Sequence, residues 1–251
     1  NVANFAHGGV ISIVSYIGFL CLALLNCSFP VAFVTAALGS GILAIIVERV
    51  AYNPLRKRNA PFLYFIISAM GASIFLENIV VATIGPTFRT YPPVFSATPI
   101  QIGGLTIGRL DVLMFVISAI SLSILVYIIE KTKIGLAIRA TSYSSKGSTL
   151  MGVNVDKVIF TIFLLGGILA GIAGVLFGMK YTVYPQIGAI TMKSFIAAVF
   201  EGLGSLQGAV IGSILLGIIE TLTSGYISSQ YRDLIAFALL IAVLIIRPTG
   251  I

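Results

Sequence analysis

Long apolar runs, separated by short polar stretches, set the plan of this chain. Residues 8–26 and 29–47 are uncharged and broken from one another only at Ser28–Pro30; residues 62–84 carry one charge, Glu77. Residues 112–129 and 158–179 follow the same pattern, and two shorter runs lie at 205–219 and 234–246. A helix needs about 20 apolar residues to cross the roughly 30 Å of bilayer hydrocarbon, so the longer runs have the length of membrane spans. The run 234–246 would reach only about 20 Å as a helix, and residues 227–231 are expected to lengthen it. Between the fifth long run and the last two lies a half-length piece, 189–204, closing on Glu201-Gly-Leu-Gly. The pattern predicts an all-α, polytopic membrane bundle of about seven to eight transmembrane or half-membrane helices, forming one transmembrane domain over residues 1–251.

Composition sharpens this. Of the 251 residues, 58% are hydrophobic and 9% are Asp, Glu, Lys or Arg, where a soluble domain carries roughly 25% charged residues. Mean hydropathy is +1.10. Too few polar side chains remain to cover a soluble globule, which excludes a soluble enzyme, a disordered chain and a disulfide scaffold. Cys21 and Cys27 sit in or beside apolar sequence and are expected to be small buried hydrophobes. His7, the only histidine, has no standard metal-ligand spacing to them, so no metal site is expected. The chain begins at Asn1 without Met or a basic stretch, so it is expected to be a processed or truncated product.

The net charge of +7 points to lipid anchoring and orientation rather than nucleic acid. Arg49, Arg56, Lys57 and Arg58 lie between two runs. Lys131, Lys133, Arg139, Lys146 and Lys157 lie two crossings later, and Arg247 falls on the same side by parity, making ten of the fifteen basic residues. By the positive-inside rule that side is cytoplasmic, and the Pro-, Thr- and Gly-rich stretch 85–109 is external. Gly167-x-x-x-Gly171, Gly174-x-x-x-Gly178 and Gly204-x-x-x-Gly208-x-x-x-Gly212 place small residues one turn apart, the pattern by which membrane helices pack closely.

No catalytic set is visible: there is no phosphate-binding Gly-x-x-x-x-Gly-Lys-Ser/Thr, no Gly-x-Ser-x-Gly and no His-Glu-x-x-His. Two polar, glycine-interrupted places stand out instead. One contains Asn4, His7 and Gly8; the other contains Glu201, Gly204, Ser205 and Gln207. Irregular backbone at membrane depth is tolerated where it is buried or lines a cavity, so these residues are the candidates for a transport pathway. Glu201 and Glu77 are the ionisable candidates within apolar sequence. A third feature is the basic, partly apolar stretch 130–157, expected to form one or two short helices across the membrane face and to dock a soluble partner. Asp156 is the expected N-cap of the fifth long helix.

Six stretches, NFAHG at 4–8, ERVAYNPLR at 48–56, RAT at 139–141 followed by LMGVN at 150–154, LAGIAGVL at 169–176, FEGLGSLQG at 200–208 and the C-terminal YRDLIAFALLIAVLIIRPTG at 231–250, run in family order along almost the whole chain. In these the chain resembles the integral permeases of branched-chain amino-acid ABC importers, specifically the H-type subunit of Liv-type systems. The family often has Gly where this chain has Glu201, and its members have a further helix ahead of NFAHG. The resemblance implies a multi-pass permease of a bacterial or archaeal inner membrane. It would form a pathway with a sister permease and be driven by two ATP-binding subunits that hold the ATP, with no cofactor of its own. An external solute-binding protein would deliver the substrate. Residues 130–157 would then hold the coupling loop, with Arg139, Ala140, Leu150, Gly152 and Asn154 in the matching stretches and Gly152 at the shared glycine. Branched-chain or other hydrophobic amino acids are the implied cargo. A urea or short-amide permease of the same family is the alternative, and an ion-coupled secondary transporter, which would need more intramembrane acids, is the rival from another class.

Overall fold

The computed structural model describes residues 4–94, 100–102, 105–200 and 206–246. These form two compact units, one up to Gly188 and one from Ala189 onward.

In the larger unit, α1 (His7–Ala23) is followed by α2 (Phe29–Val47), which starts behind Ser28 with Pro30 in its first turn, where a missing N–H costs nothing. The charged stretch 48–58 looks in sequence like a loop ending this helix. Instead the helix runs on through a π-helical turn (Glu48–Tyr52) into α3 (Asn53–Lys57), a continuous rod of 29 residues. The reason is that the charge is neutralised in place: Arg56 Nη1 lies 2.8 Å from the Glu48 carboxylate, whose side chain is 5% exposed. Next come α4 (Phe62–Thr83), a small antiparallel hairpin of β1 (Ile100–Ile102) and β2 (Leu105–Ile107) that the sequence pattern does not predict, and α5 (Arg109–Lys131). Two short helices, α6 (Lys133–Tyr143) and α7 (Ser145–Leu150), precede α8 (Val155–Lys180).

The core is a seam between α2 and α8, with α1 packed against both. A Cβ on Gly171 would lie 2.7 Å from Ala37 Cα, and one on Gly167 would lie 2.8 Å from Ser40 O, so the backbones touch where the small residues fall. In lipid this close approach replaces the hydrophobic drive as the source of helix pairing. Gly171→Ile is therefore expected to lower stability in detergent by about 1–3 kcal/mol, the usual cost of overpacking. Gly166→Ile, one turn-face away with nothing within 4 Å of its Cβ, is the control; equal unfolding temperatures for the two variants would refute the seam.

The smaller unit holds α9 (Ile190–Phe200), α10 (Leu206–Tyr226) and α11 (Arg232–Ile246), the last preceded by a 3-10 turn at Ser229–Tyr231 rather than by more α-helix. Ile196, Ala197, Leu216 and Ala236 form its core. One charged residue from each helix meets there: Lys193 Nζ lies 3.0 Å from Glu220 Oε1 and 2.7 Å from Asp233 Oδ1.

Among the described residues, five helices are long and apolar enough to cross a membrane, with shorter apolar helices at His7–Ala23 and Ile187–Val199. Helix α5 buries none of its residues within the chain although Phe115, Ile120 and Ile124 are large and apolar. Such a helix is at home in hydrocarbon, and the protein is a polytopic helical membrane protein. Cys21 and Cys27 are both free and half-buried rather than fully buried.

Candidate functional site

The first polar interruption becomes a helix start inside the larger unit. The Asn4 carbonyl accepts the His7 N–H (3.1 Å) to begin α1, and the Asn4 side-chain oxygen accepts a hydrogen bond from the Tyr52 hydroxyl at 2.7 Å. Tyr52 comes from the π-helical turn and is held edge-on against Phe163, ring centroids 5.1 Å apart. A Cβ on Gly9 would lie 2.8 Å from Ser73 Cα, so the first turn of α1 abuts α4 midway along its length. Ser73 also donates to Glu77 Oε1 at 3.2 Å. The first turn of α1, at Gly9, therefore sits level with the middle of a spanning helix, while Asn4 and Tyr52 lie nearer the start of α4, where the Tyr52 and Phe65 ring centroids are 6.4 Å apart.

A second segment reaches the same place. After α8 the chain turns back, and the Gly188 N–H donates to Ser12 Oγ (3.1 Å), a side chain with no exposure. A Cβ on Gly188 would lie only 2.0 Å from Gly8 O. Asn4 and Gly8 are thus brought together with Tyr52, Ser12 and Gly188, and His7 lies on the same turn. Glu201, Gly204, Ser205 and the side chain of Gln207 lie outside the described residues.

At one end of the unit, α6 and α7 form a braced projection. Thr132 caps α6, its hydroxyl accepting from the Gly135 N–H (3.1 Å) and donating to Ile128 O (2.6 Å). Ser144 caps α7 by accepting from the Gly147 N–H (3.1 Å). Gly152 ends α7 with φ +81°, a left-handed conformation that glycine takes at little cost, and the Val153 N–H closes back on Ser148 O at 2.9 Å. Asn154, not Asp156, caps α8, accepting from the Lys157 N–H at 3.0 Å. Asp156 already lies inside the first turn of α8, and its carboxylate is 2.9 Å from Arg56 Nη2. That ion pair also joins the two basic stretches, 48–58 and 130–157, at one end of the unit. Arg139, Ala140, Leu150, Gly152 and Asn154 are all exposed, and Tyr143 at the end of α6 and Leu150 and Met151 at the end of α7 are 96%, 88% and 86% exposed, the apolar crest of the two helices.

The opposite end is closed by other ties. Arg89 and Val183 exchange two backbone hydrogen bonds of 2.8 Å, Lys180 pairs with Asp111, and the Tyr91 hydroxyl donates to Ser15 O at 2.7 Å. Burial pushes the Tyr91 hydroxyl well above its ordinary pKa, keeping it a donor at any physiological pH.

Sequence reasoning missed Tyr52, Ser12, Gly188 and Gly135. Tyr52 hides in a charged stretch, while the glycines show their purpose only when a backbone arrives from elsewhere.

A family model described as "Branched-chain amino acid transport system / permease component" matches residues 1–244. The high-affinity branched-chain amino acid transport permease LivH of Salmonella typhimurium is 39% identical, over 99% of this chain and 84% of its own length. BraD, a permease of the same description from Pseudomonas aeruginosa, is 37% identical over 99% and 85%. A probable LivH of Methanocaldococcus jannaschii is 30% identical over 100% and 83%. No solved structure matches the chain.

Proposed function

Because this chain belongs to the branched-chain amino acid transport permease family, we propose that it is a pathway-forming subunit of an ABC importer for branched-chain and related hydrophobic amino acids. It works beside a sister permease in the membrane. Two ATP-binding subunits dock on its α6–α7 projection, and an external solute-binding protein supplies the cargo. An amino acid carries an ammonium and a carboxylate even when its side chain is apolar, so its route needs polar groups at membrane depth. The helix start at Asn4–Gly8, with the Tyr52 hydroxyl and the backbone around Gly188, supplies such groups between the first turns of α4, where Tyr52 meets Phe65, and its middle, where Gly9 meets Ser73.

The observation that carries this reading is the α6–α7 projection. Its corners are fixed by their own caps, yet its crest of Tyr143, Leu150 and Met151 is left almost fully exposed among the described residues. Loops are normally polar, and a rigid apolar crest beside basic residues suits a partner's groove. Replacing both Leu150 and Met151 with Asp puts two charges into that contact while the caps stay intact. The variant is expected to remain in the membrane and to lose co-purification with the ATP-binding subunits. Undiminished co-purification would place the docking surface elsewhere.

A further inference from the structure

Resting on the reading of α6–α7 as the motor's docking element, we propose that Arg56 is the positioning residue that carries motion of that element to the helix start at Asn4–Gly8. Arg56, in the α2–α3 rod, reaches the foot of α8 through Asp156 at 2.9 Å and turns back to Glu48 of the rod at 2.8 Å. On one side, Asp156 lies in the first turn of α8, directly after the Gly152 turn and the Asn154 cap, so any tilt of α7 moves it. On the other side, Glu48 opens the π-helical turn, and the residue closing that turn is Tyr52, whose hydroxyl holds Asn4 at 2.7 Å. Docking element, ion bridge, wide turn and helix start are therefore consecutive physical contacts within one unit.

The π-helical turn gives this chain of contacts two arrangements. Its bond from the Asn53 N–H to Glu48 O spans five residues instead of four. A π turn is an α-helix with one residue too many, and such turns recur at functional sites. Expelling that residue would rotate everything beyond it by about 100°, the angle per residue of an α-helix. Tyr52 would swing away from Asn4. The turn is also braced from outside, since the Ser68 hydroxyl donates to Ala51 O at 2.8 Å. The Glu48 carboxylate is buried and needs a cation; Arg56 meets that need with one nitrogen and keeps the other for Asp156. A lysine has no such fork.

Asp156 makes the inference testable without unfolding the protein. Its side chain is 76% exposed, and ion pairs with an exposed partner add little to stability. The experiment uses the full complex in proteoliposomes, with radiolabelled leucine as the probe, and reads uptake per ATP hydrolysed. Asp156→Asn is expected to assemble and to melt like the wild type, while uptake per ATP falls roughly ten-fold, within the range that single residues in a coupling network command. Asp156→Glu, which keeps the charge, should restore most of it. Arg56→Lys, which cannot bridge both carboxylates, should behave like Asp156→Asn. Wild-type coupling in Asp156→Asn, or equal losses in Asp156→Asn and Asp156→Glu, would overturn the role of the bridge. A wild-type complex that hydrolyses no ATP and moves no leucine would overturn the docking reading first, and the relay with it.

Discussion

Gly188→Ala is expected to abolish uptake while leaving the chain inserted in the membrane. The new methyl would lie 2.0 Å from Gly8 O, 2.4 Å from Gly8 C and 2.8 Å from Gly8 Cα. All three atoms are backbone, so no rotamer change relieves the contact. The segment preceding Gly188 must lift away from α1, which breaks the hydrogen bond from the Gly188 N–H to Ser12 Oγ. Two buried polar groups then lose their partner, at about 1–3 kcal/mol each. The spans of the larger unit do not depend on this contact, because the α2–α8 seam lies elsewhere. The helix start at Asn4–Gly8 does depend on it. Gly71→Ala, with open space around its Cβ, should transport normally. Membrane content by immunoblot and uptake of labelled leucine, measured side by side, check this. Full uptake by Gly188→Ala would mean that the contact has no part in transport.

The second large effect is expected at Gly135. Its Cβ would fall 2.1 Å from Ile129 O and 2.3 Å from Ile128 O, in the last turns of α5. The corner between α5 and α6 closes only with a glycine there, and the Thr132 cap holds it shut. Gly135→Val forces the corner open and swings α6, carrying α7 and its crest with it. The ATP-binding subunits are then expected to be lost on purification, and ATP-driven uptake with them. The five long helices should stay membrane-inserted because the corner lies beyond the end of α5. Retained subunits in a pull-down from Gly135→Val membranes would contradict the assignment of the docking surface.

Much of this architecture is legible in sequence because the apolar runs are the helices. Residues 62–84 became Phe62–Thr83, residues 112–129 lie within Arg109–Lys131 and residues 158–179 within Val155–Lys180. The mixed basic stretch after α5 became two short helices. What escaped the sequence depended on partners distant along the chain. Glu48 looked like the end of a helix because a lone carboxylate should not continue one through the membrane; Arg56, eight residues on, neutralises it. Asp156 looked like a cap because the apolar run starts at Val158, but α8 begins at Val155, which gives the role to Asn154. The β1–β2 hairpin is three residues per strand, too short for a period-two signal. At the site, the polar interruption at Asn4–Gly8 was visible, because asparagine, histidine and paired glycines break an apolar text. Its counterpart at Gly188 was not, since one glycine in an apolar run says nothing until another backbone lies against it.

ATP-driven leucine uptake into proteoliposomes, with and without the ATP-binding subunits, decides whether this chain serves an ABC importer. Uptake is expected to need both those subunits and ATP on their side of the membrane, with no accumulation by the permeases alone under a proton or sodium gradient. Gradient-driven accumulation by the permeases without ATP-binding partners would contradict that role.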